Sequence, residues 1–319
     1  MEHRTVTMQE IIESRTRIRP YIRHTPLEKN RELSDRYEAN IYLKLENLQV
    51  TGSFKARGSI EMLLRLGKTE RERGVIAPSA GNHGIGLAYA ASLFNVPAFV
   101  YLPIDADPSK VKALESYGAD ITFFDSIEEA RLTALHDAKE KGSTFVSAYN
   151  NHAMIRAGGT IGLEILEDLQ NVDTVISGLG GGGLTAGLCL ALKSANPNIK
   201  IWGVQAKNSP TFAVWHQNGK VMPVHLQPSI ADGMSGPIEP ETITFPIIHE
   251  LIDGIITVTE EEIVEAMKTM LDSQYIVEPT GAAGIAALKQ LGGELRGRNA
   301  AVLVTGRNIS WSRFVSLVQ

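Results

Sequence analysis

One cysteine, Cys189, stands in 319 residues, which excludes an intramolecular disulfide and a multi-thiolate zinc or iron–sulfur centre. That usage points to a reducing compartment. Positive charge is also scarce: the net charge is −5, and no stripe of Lys and Arg is present to neutralise the phosphates of duplex DNA. No apolar run reaches the roughly 20 residues that span a bilayer. The longest, 85–101, is interrupted by Asn95 and Pro97. Residues 1–19 mix Glu2, Arg4, Glu10, Glu13 and Arg15 with isolated apolar residues and lack the apolar core of a secretory signal. Internal repeats, heptads and low-complexity tracts are absent, and no shift in composition marks a linker. These absences predict a cytoplasmic protein without a nucleic-acid or membrane partner, in which a second domain is inserted rather than appended.

What is present is an ordinary globular composition, 43% hydrophobic. At roughly 150 residues per domain the length suggests about two domains. Apolar, β-rich runs at 40–44, 74–77, 98–102, 120–124, 144–146, 174–177, 201–205, 254–258 and 300–304 alternate with amphipathic helical stretches. This is the pattern of an α/β protein with parallel strands. Thr259 followed by Glu262 forms a capping box that predicts a helix over 260–271, and Pro108 opens another that closes near Gly118. In open α/β sheets ligands gather at the carboxyl ends of the strands, so the segments just after each strand matter most.

Four such segments carry chemistry. In Thr51-Gly52-Ser53-Phe54-Lys55-Ala56-Arg57-Gly58, Lys55 lies between a Gly/Ser turn and a helix start. The positive helix N-terminus and partial burial both lower an amine pKa, which makes Lys55 a usable nucleophile. The plain alternative is an exposed lysine at a helix start. Ser79-Ala80-Gly81-Asn82-His83-Gly84 is a tight turn whose backbone N–H groups can converge on a carboxylate, with Asn82 as a further donor. His83 reads either as an acid–base group or as a turn histidine held by backbone partners. Four consecutive glycines, Gly180, Gly181, Gly182 and Gly183, lie between a strand and a helix, where amides can approach a phosphate closely. No Gly-Lys-Ser/Thr ending and no acidic residue placed for a ribose accompany them, so a phosphate without a nucleotide is implied. Thr305-Gly306-Arg307-Asn308 sets a hydroxyl and a flexible glycine at the end of the last strand. An amine nucleophile, an anion-binding turn, a phosphate cup and a hydroxyl together meet the needs of a pyridoxal-phosphate site.

With Leu43-Lys44-Leu45-Glu46-Asn47-Leu48-Gln49 and Glu278-Pro279, these motifs stand in the order and spacing of a known family. Over nearly its whole length the chain resembles the pyridoxal-phosphate enzymes of the tryptophan synthase β-like fold, fold type II, in their threonine/serine dehydratase and serine racemase branch. The resemblance implies two open twisted α/β domains with the cofactor between them: a large one from 1–51 and 151–319, and a small one, 52–150, inserted in it. It implies that Lys55 carries pyridoxal 5'-phosphate as a Schiff base with Phe54 packed beside it. Asn82 would bond the ring hydroxyl oxygen, Gly180, Gly181, Gly182 and Gly183 the phosphate, and Thr305 the ring nitrogen. Ser79, Asn82 and His83, with the neighbouring amides of Ala80 and Gly81, would hold the substrate carboxylate. The implied reaction is β-elimination from a β-hydroxy amino acid, L-threonine or L-serine, to a 2-oxo acid and ammonia, in a homodimer.

Departures from the family pattern carry their own expectations. Ala80 replaces a second serine of the racemases, which disfavours racemisation. Gln205 and Thr211 replace acidic cation ligands, so no metal is expected. Arg307 replaces a glycine and either reaches an anionic β-substituent of the substrate or pairs with an acidic surface residue. Asp232-Gly233-Met234-Ser235-Gly236 also differs from the usual Asp-Gly-x-Ala-Val. A dehydratase for 3-hydroxyaspartate or phenylserine, a racemase and a β-replacing transferase remain the alternatives. Only a short segment comes after Thr305, so no C-terminal regulatory module is expected.

Overall fold

A computed structural model describes residues 6–319; the first five residues of the N-terminal stretch lie outside the described residues. Ten strands are present among the described residues: β1 (Leu27–Lys29), β2 (Asn40–Lys44), β3 (Val75–Pro78), β4 (Ala98–Pro103), β5 (Asp120–Phe124), β6 (Thr144–Phe145), β7 (Thr174–Gly178), β8 (Lys200–Ala206), β9 (Gly254–Val258) and β10 (Asn299–Leu303). They form a six-stranded sheet in the order β1-β2-β10-β7-β8-β9 and a four-stranded sheet in the order β5-β4-β3-β6. Every pairing is parallel except β1 with β2. Parallel neighbours need crossovers, and the intervening helices supply them and cover the sheet faces. Apolar clusters therefore lie on both sides of the larger sheet, with separate ones around the smaller sheet.

All nine predicted strands exist, with ends displaced by at most one residue. The apolar pattern gives no sign of β1. It is three residues long at the sheet edge, and its only partner is β2, so backbone pairing rather than an apolar pattern makes it a strand. The capping box is present: Thr259 Oγ1 accepts from Glu262 N at 3.2 Å, and Glu262 Oε2 accepts from Thr259 N at 2.8 Å. It opens the helix Glu260–Asp272. The helix Pro108–Ser116 ends one residue before the expected Tyr117. The apolar stretch 85–101 divides between the helix Asn82–Phe94 and β4, and no helix among the described residues is long and apolar enough to cross a membrane.

Three packings hold the chemistry-bearing strand ends in place. The helix His152–Asp168 lies against the helix Gly183–Ala195, and a Cβ at Gly187 would stand 2.2 Å from the Ile155 carbonyl oxygen, so the missing side chain sets their approach. The helix Lys55–Arg65 packs on both His152–Asp168 and Asn82–Phe94, bridging the two sheets. The carboxyl ends of β3, β7 and β10 lead into the Ser79 turn, the glycine loop and Thr305 respectively.

Candidate active site at the strand ends

Residues 51–54 and 305–308 meet as a short antiparallel bridge. Ser53 pairs with Gly306, Phe54 N donates to Thr305 O at 3.2 Å, and Arg307 N donates to Gly52 O at 2.9 Å. Gly52 has φ +76°, and a Cβ there would fall 2.4 Å from Asn308 Oδ1, so both its backbone freedom and its lack of side chain are needed. The bridge places Lys55, first residue of its helix, beside Thr305. One cavity is lined by Phe54, Lys55, Tyr149, Gly180, Gly181, Gly182, Gly183, Thr185, Met234 and Thr305, among others.

Lys55 Nζ lies 4.9 Å from the Phe54 ring centroid and donates to Ala148 O at 3.0 Å. The residue keeps some accessible surface through the cleft, yet its surroundings are dense. Desolvation pulls its pKa down from 10.5 to about 8, against the pull of the Glu278 carboxylate, which favours the ammonium. His83 is buried, and its Nε2 donates to Val146 O at 2.9 Å. Burial and the nearby Lys55 ammonium push its pKa down to about 4, so the imidazole is neutral and held by backbone. The loop after β6 thus offers two alternate carbonyls, Val146 to the neutral His83 imidazole and Ala148 to Lys55.

Around Ser79 the turn is self-supporting: Ser79 Oγ accepts from Gly81 N at 3.3 Å and from Gly84 N at 3.1 Å. The amides of Ala80, Asn82 and His83 are not consumed by these bonds. Asn82 is fixed from both ends of its amide. Its Nδ2 donates to Glu278 Oε1 at 2.5 Å, and its Oδ1 accepts from Asn308 Nδ2 at 2.6 Å. Glu278 is 2% exposed, and burial raises its pKa to about 7 despite Lys110 nearby. Its carboxyl fits only because residue 306 is glycine, where a Cβ would stand 1.9 Å from Oε1.

The glycine loop is a cradle that side chains would close. A Cβ on Gly181 would fall 2.2 Å from the Tyr149 ring, and Gly182 adopts φ +88°. The helix Gly183–Ala195 has no side-chain cap at its start, so its first amides face the loop. Tyr149 is anchored by Glu239 N, which donates to its hydroxyl at 3.0 Å, and burial raises its pKa to about 12. An amine of lowered pKa, an uncapped helix start with a side-chain-free cup, and a hydroxyl at Thr305 are a donor set that fits a pyridoxal-phosphate ring and its phosphate.

The structure thus gathers Phe54, Lys55, Gly180, Gly181, Gly182, Gly183 and Thr305 in one cavity; Ser79, Ala80, Gly81, Asn82 and His83 are not in its lining, and Asn82 Nδ2 lies against Gly306, the residue after Thr305. Arg307 does not join them. It is exposed and lines a separate cleft of about 590 Å³ with Asn47, Leu48, Lys110 and Tyr275. Gln205 commits its amide to the backbone, donating to Leu179 O at 3.2 Å and accepting from Ala213 N at 2.8 Å. Glu278 was legible only through the family motif, and Tyr149 and Asn308 carried no signal of their own.

Fold and site together define a pyridoxal-phosphate enzyme of fold type II. A family model described as pyridoxal-phosphate dependent enzyme matches residues 18–306, and the chain belongs to that family. It is 38% identical over 307 residues to an L-threonine ammonia-lyase of Thermotoga maritima, covering 95% of this chain and 76% of that one. To an L-threo-3-hydroxyaspartate ammonia-lyase of a Pseudomonas species it is 35% identical over 312 residues, 97% and 98% of the two chains. Maize serine racemase superposes with a TM-score of 0.92 at 31% identity, covering 98% of this chain and 97% of that one. The protein is a pyridoxal-phosphate-dependent lyase.

Proposed function

We propose that the protein is an ammonia-lyase that converts L-threonine or L-serine to the 2-oxo acid and ammonia, the water lost in the elimination being regained in hydrolysis. The observation that carries this reading is the Lys55 cavity: it holds one amine of lowered pKa, and Lys55 is the only cationic side chain in its lining among the described residues. A small neutral β-substituent suits such a lining better than a second carboxylate. Bound pyridoxal phosphate supplies an electron sink for the electrons left at Cα. Lys55 would carry the cofactor covalently, and its Nζ, the one amine in the lining among the described residues, would be the group that takes the Cα proton. Phe54 packs beside the ring, Asn82 offers a donor to the ring hydroxyl oxygen in an orientation set by Glu278 and Asn308, and Gly180, Gly181, Gly182 and Gly183 hold the phosphate. Thr305, as a neutral hydroxyl, serves the ring nitrogen without protonating it. The free amides around Ala80 and His83, with Ser79 and Asn82, receive the substrate carboxylate. Ala80 offers no hydroxyl on the face where a racemase needs a second acid–base group.

The test is release of ammonia and 2-oxo acid from L-serine, L-threonine, 3-hydroxyaspartate and phenylserine isomers with added pyridoxal phosphate. Threonine and serine are expected to lead. Preference for 3-hydroxyaspartate, the substrate named for one 35% identical relative, would transfer specificity to the Gly233–Met234 wall of the cavity. Amino acid returned with inverted configuration would make the enzyme a racemase. We assign the two sheets to an inserted small domain, 52–150, and a large one, 1–51 with 151–319, and place the enzyme in the cytoplasm as a homodimer. The fully buried Cys189 thiol suits a reducing compartment, and Trp311, 74% exposed and stacked on Phe314, offers apolar surface for a second copy. Sedimentation equilibrium at the 34.7 kDa chain mass rather than twice it would refute the dimer.

A further inference from the structure

One hydroxyl in the glycine cup is buried with nothing to bond. Thr185 is the third residue of the helix Gly183–Ala195, is 0% exposed, lines the same cavity as Lys55, and its Oγ1 has no hydrogen-bond partner. A threonine inside a helix ordinarily donates to a carbonyl three or four residues back. Neither bond is made here: Gly181 O accepts from Thr244 Oγ1 at 2.9 Å and Gly182 O from Ala186 N at 2.8 Å, and Thr185 Oγ1 donates to neither. A dry, unpartnered hydroxyl is costly, and valine would fill the same volume without that cost. The hydroxyl thus has no partner within the protein, and its residue lines the cavity at the uncapped helix start.

We infer that Thr185 Oγ1 donates a hydrogen bond to the phosphate of bound pyridoxal 5'-phosphate, adding a side-chain donor to a cup otherwise built from backbone amides. This rests on the reading that the loop 180–183 holds the phosphate. A hydrogen bond to a charged oxygen in a site closed to water is among the stronger neutral-donor contacts, so Thr185 sets how tightly the cofactor is kept rather than how fast it reacts. Because the hydroxyl addresses only the phosphate, its removal acts on the phosphorylated cofactor and not on the ring.

The experiment titrates cofactor-free protein with pyridoxal 5'-phosphate and, separately, with pyridoxal, following the visible band of the lysine-bound cofactor. Thr185→Val is expected to weaken affinity for pyridoxal 5'-phosphate about tenfold and to leave pyridoxal unchanged. Thr185→Ser is expected to bind both as the parent does, and the ³¹P resonance of bound cofactor to shift in the valine variant alone. Should the valine variant fail to fold, Thr185→Ala makes the same comparison. Equal affinity of valine and parent proteins for pyridoxal 5'-phosphate overturns the inference, as does parallel loss of both ligands, which marks a packing role. If the parent protein forms no lysine-bound cofactor at all, the assignment of the cup fails instead.

Discussion

Lys55 and Arg57 stand two residues apart at the start of one helix, and burial treats them in opposite ways. Arg57, 1% exposed, is met by two carboxylates: its Nε and Nη2 donate to Glu46 at 2.9 and 2.7 Å, and its Nη1 and Nη2 to Glu164 at 2.6 and 2.9 Å. Lys44 Nζ reaches Glu164 at 2.7 Å and Thr25 O at 2.7 Å, and Thr25 Oγ1 donates to Glu46 at 2.5 Å. Two cations and two anions close on one another, and the guanidinium pKa is raised despite desolvation. Lys55 has no carboxylate in contact, only the Ala148 carbonyl, and its pKa drops. The lesson is that a buried charge with all its partners holds the helix in place, whereas a buried amine short of partners is poised to change its protonation or its bonding.

Breaking each side of this contrast should separate the two jobs. Lys55→Ala should reduce turnover by more than about 10³-fold and abolish the visible cofactor band, while urea unfolding shows stability unchanged within about 1 kcal/mol, because no charge partner is stranded. Persistent turnover in that variant would refute the assignment of Lys55. Arg57→Met should do the reverse in kind. It leaves Glu46 and Glu164 facing each other in a dry site, and the same unfolding experiment should show a loss of about 3–5 kcal/mol. A loss under about 1 kcal/mol would mean that the carboxylates reach water or protons when the cation is gone.

The smallest expected effect lies at Glu278, which belongs to neither side. Its folded pKa, about 7, is above the ordinary 4.5, so between those values the native state holds a proton that the unfolded chain has released. Stability contributed by the protonated carboxyl is present below pH 4.5 and is lost as pH rises through 7. Glu278→Gln should remove about 1–2 kcal/mol of that decline, read as urea midpoints at about pH 5 and about pH 7.5. Equal declines in parent and variant would place the titration elsewhere.

Much of this is legible in the amino-acid order alone. Parallel strands covered by helices write near-continuous apolar runs, and even the more exposed edge strands β5 and β6 keep theirs, so nine strands could be read to within a residue, and Gly180–183 and the Lys55 turn announced themselves by composition. What stayed hidden depends on contacts between distant residues. Nothing around Tyr149 says that its ring fills the space a side chain at 181 would take, and Asn308 gains meaning only from Asn82. Arg307 shows the converse. Its place beside Thr305 in sequence left it either at the substrate or paired on the surface, and the structure turns it, exposed, into another cleft. Two threonines illustrate the same limit: Thr305 stands out by its position after a strand, while Thr185 is one apolar-helix residue among many until its hydroxyl is found buried without a partner.

The position of β10 has a consequence for the order in which the molecule is made. It lies between β2 and β7, so the centre of the larger sheet stays open until residues 299–303 emerge, and the bridge from Ser53 to Gly306 closes later still. During synthesis Lys55 is therefore exposed for some 250 residues of elongation without the wall that shapes its chemistry, a long-range closure of the slow-folding kind. Capture of the cofactor is thus a late event, and a ribosome stalled before β10 releases a chain that has the nucleophile but no place to use it.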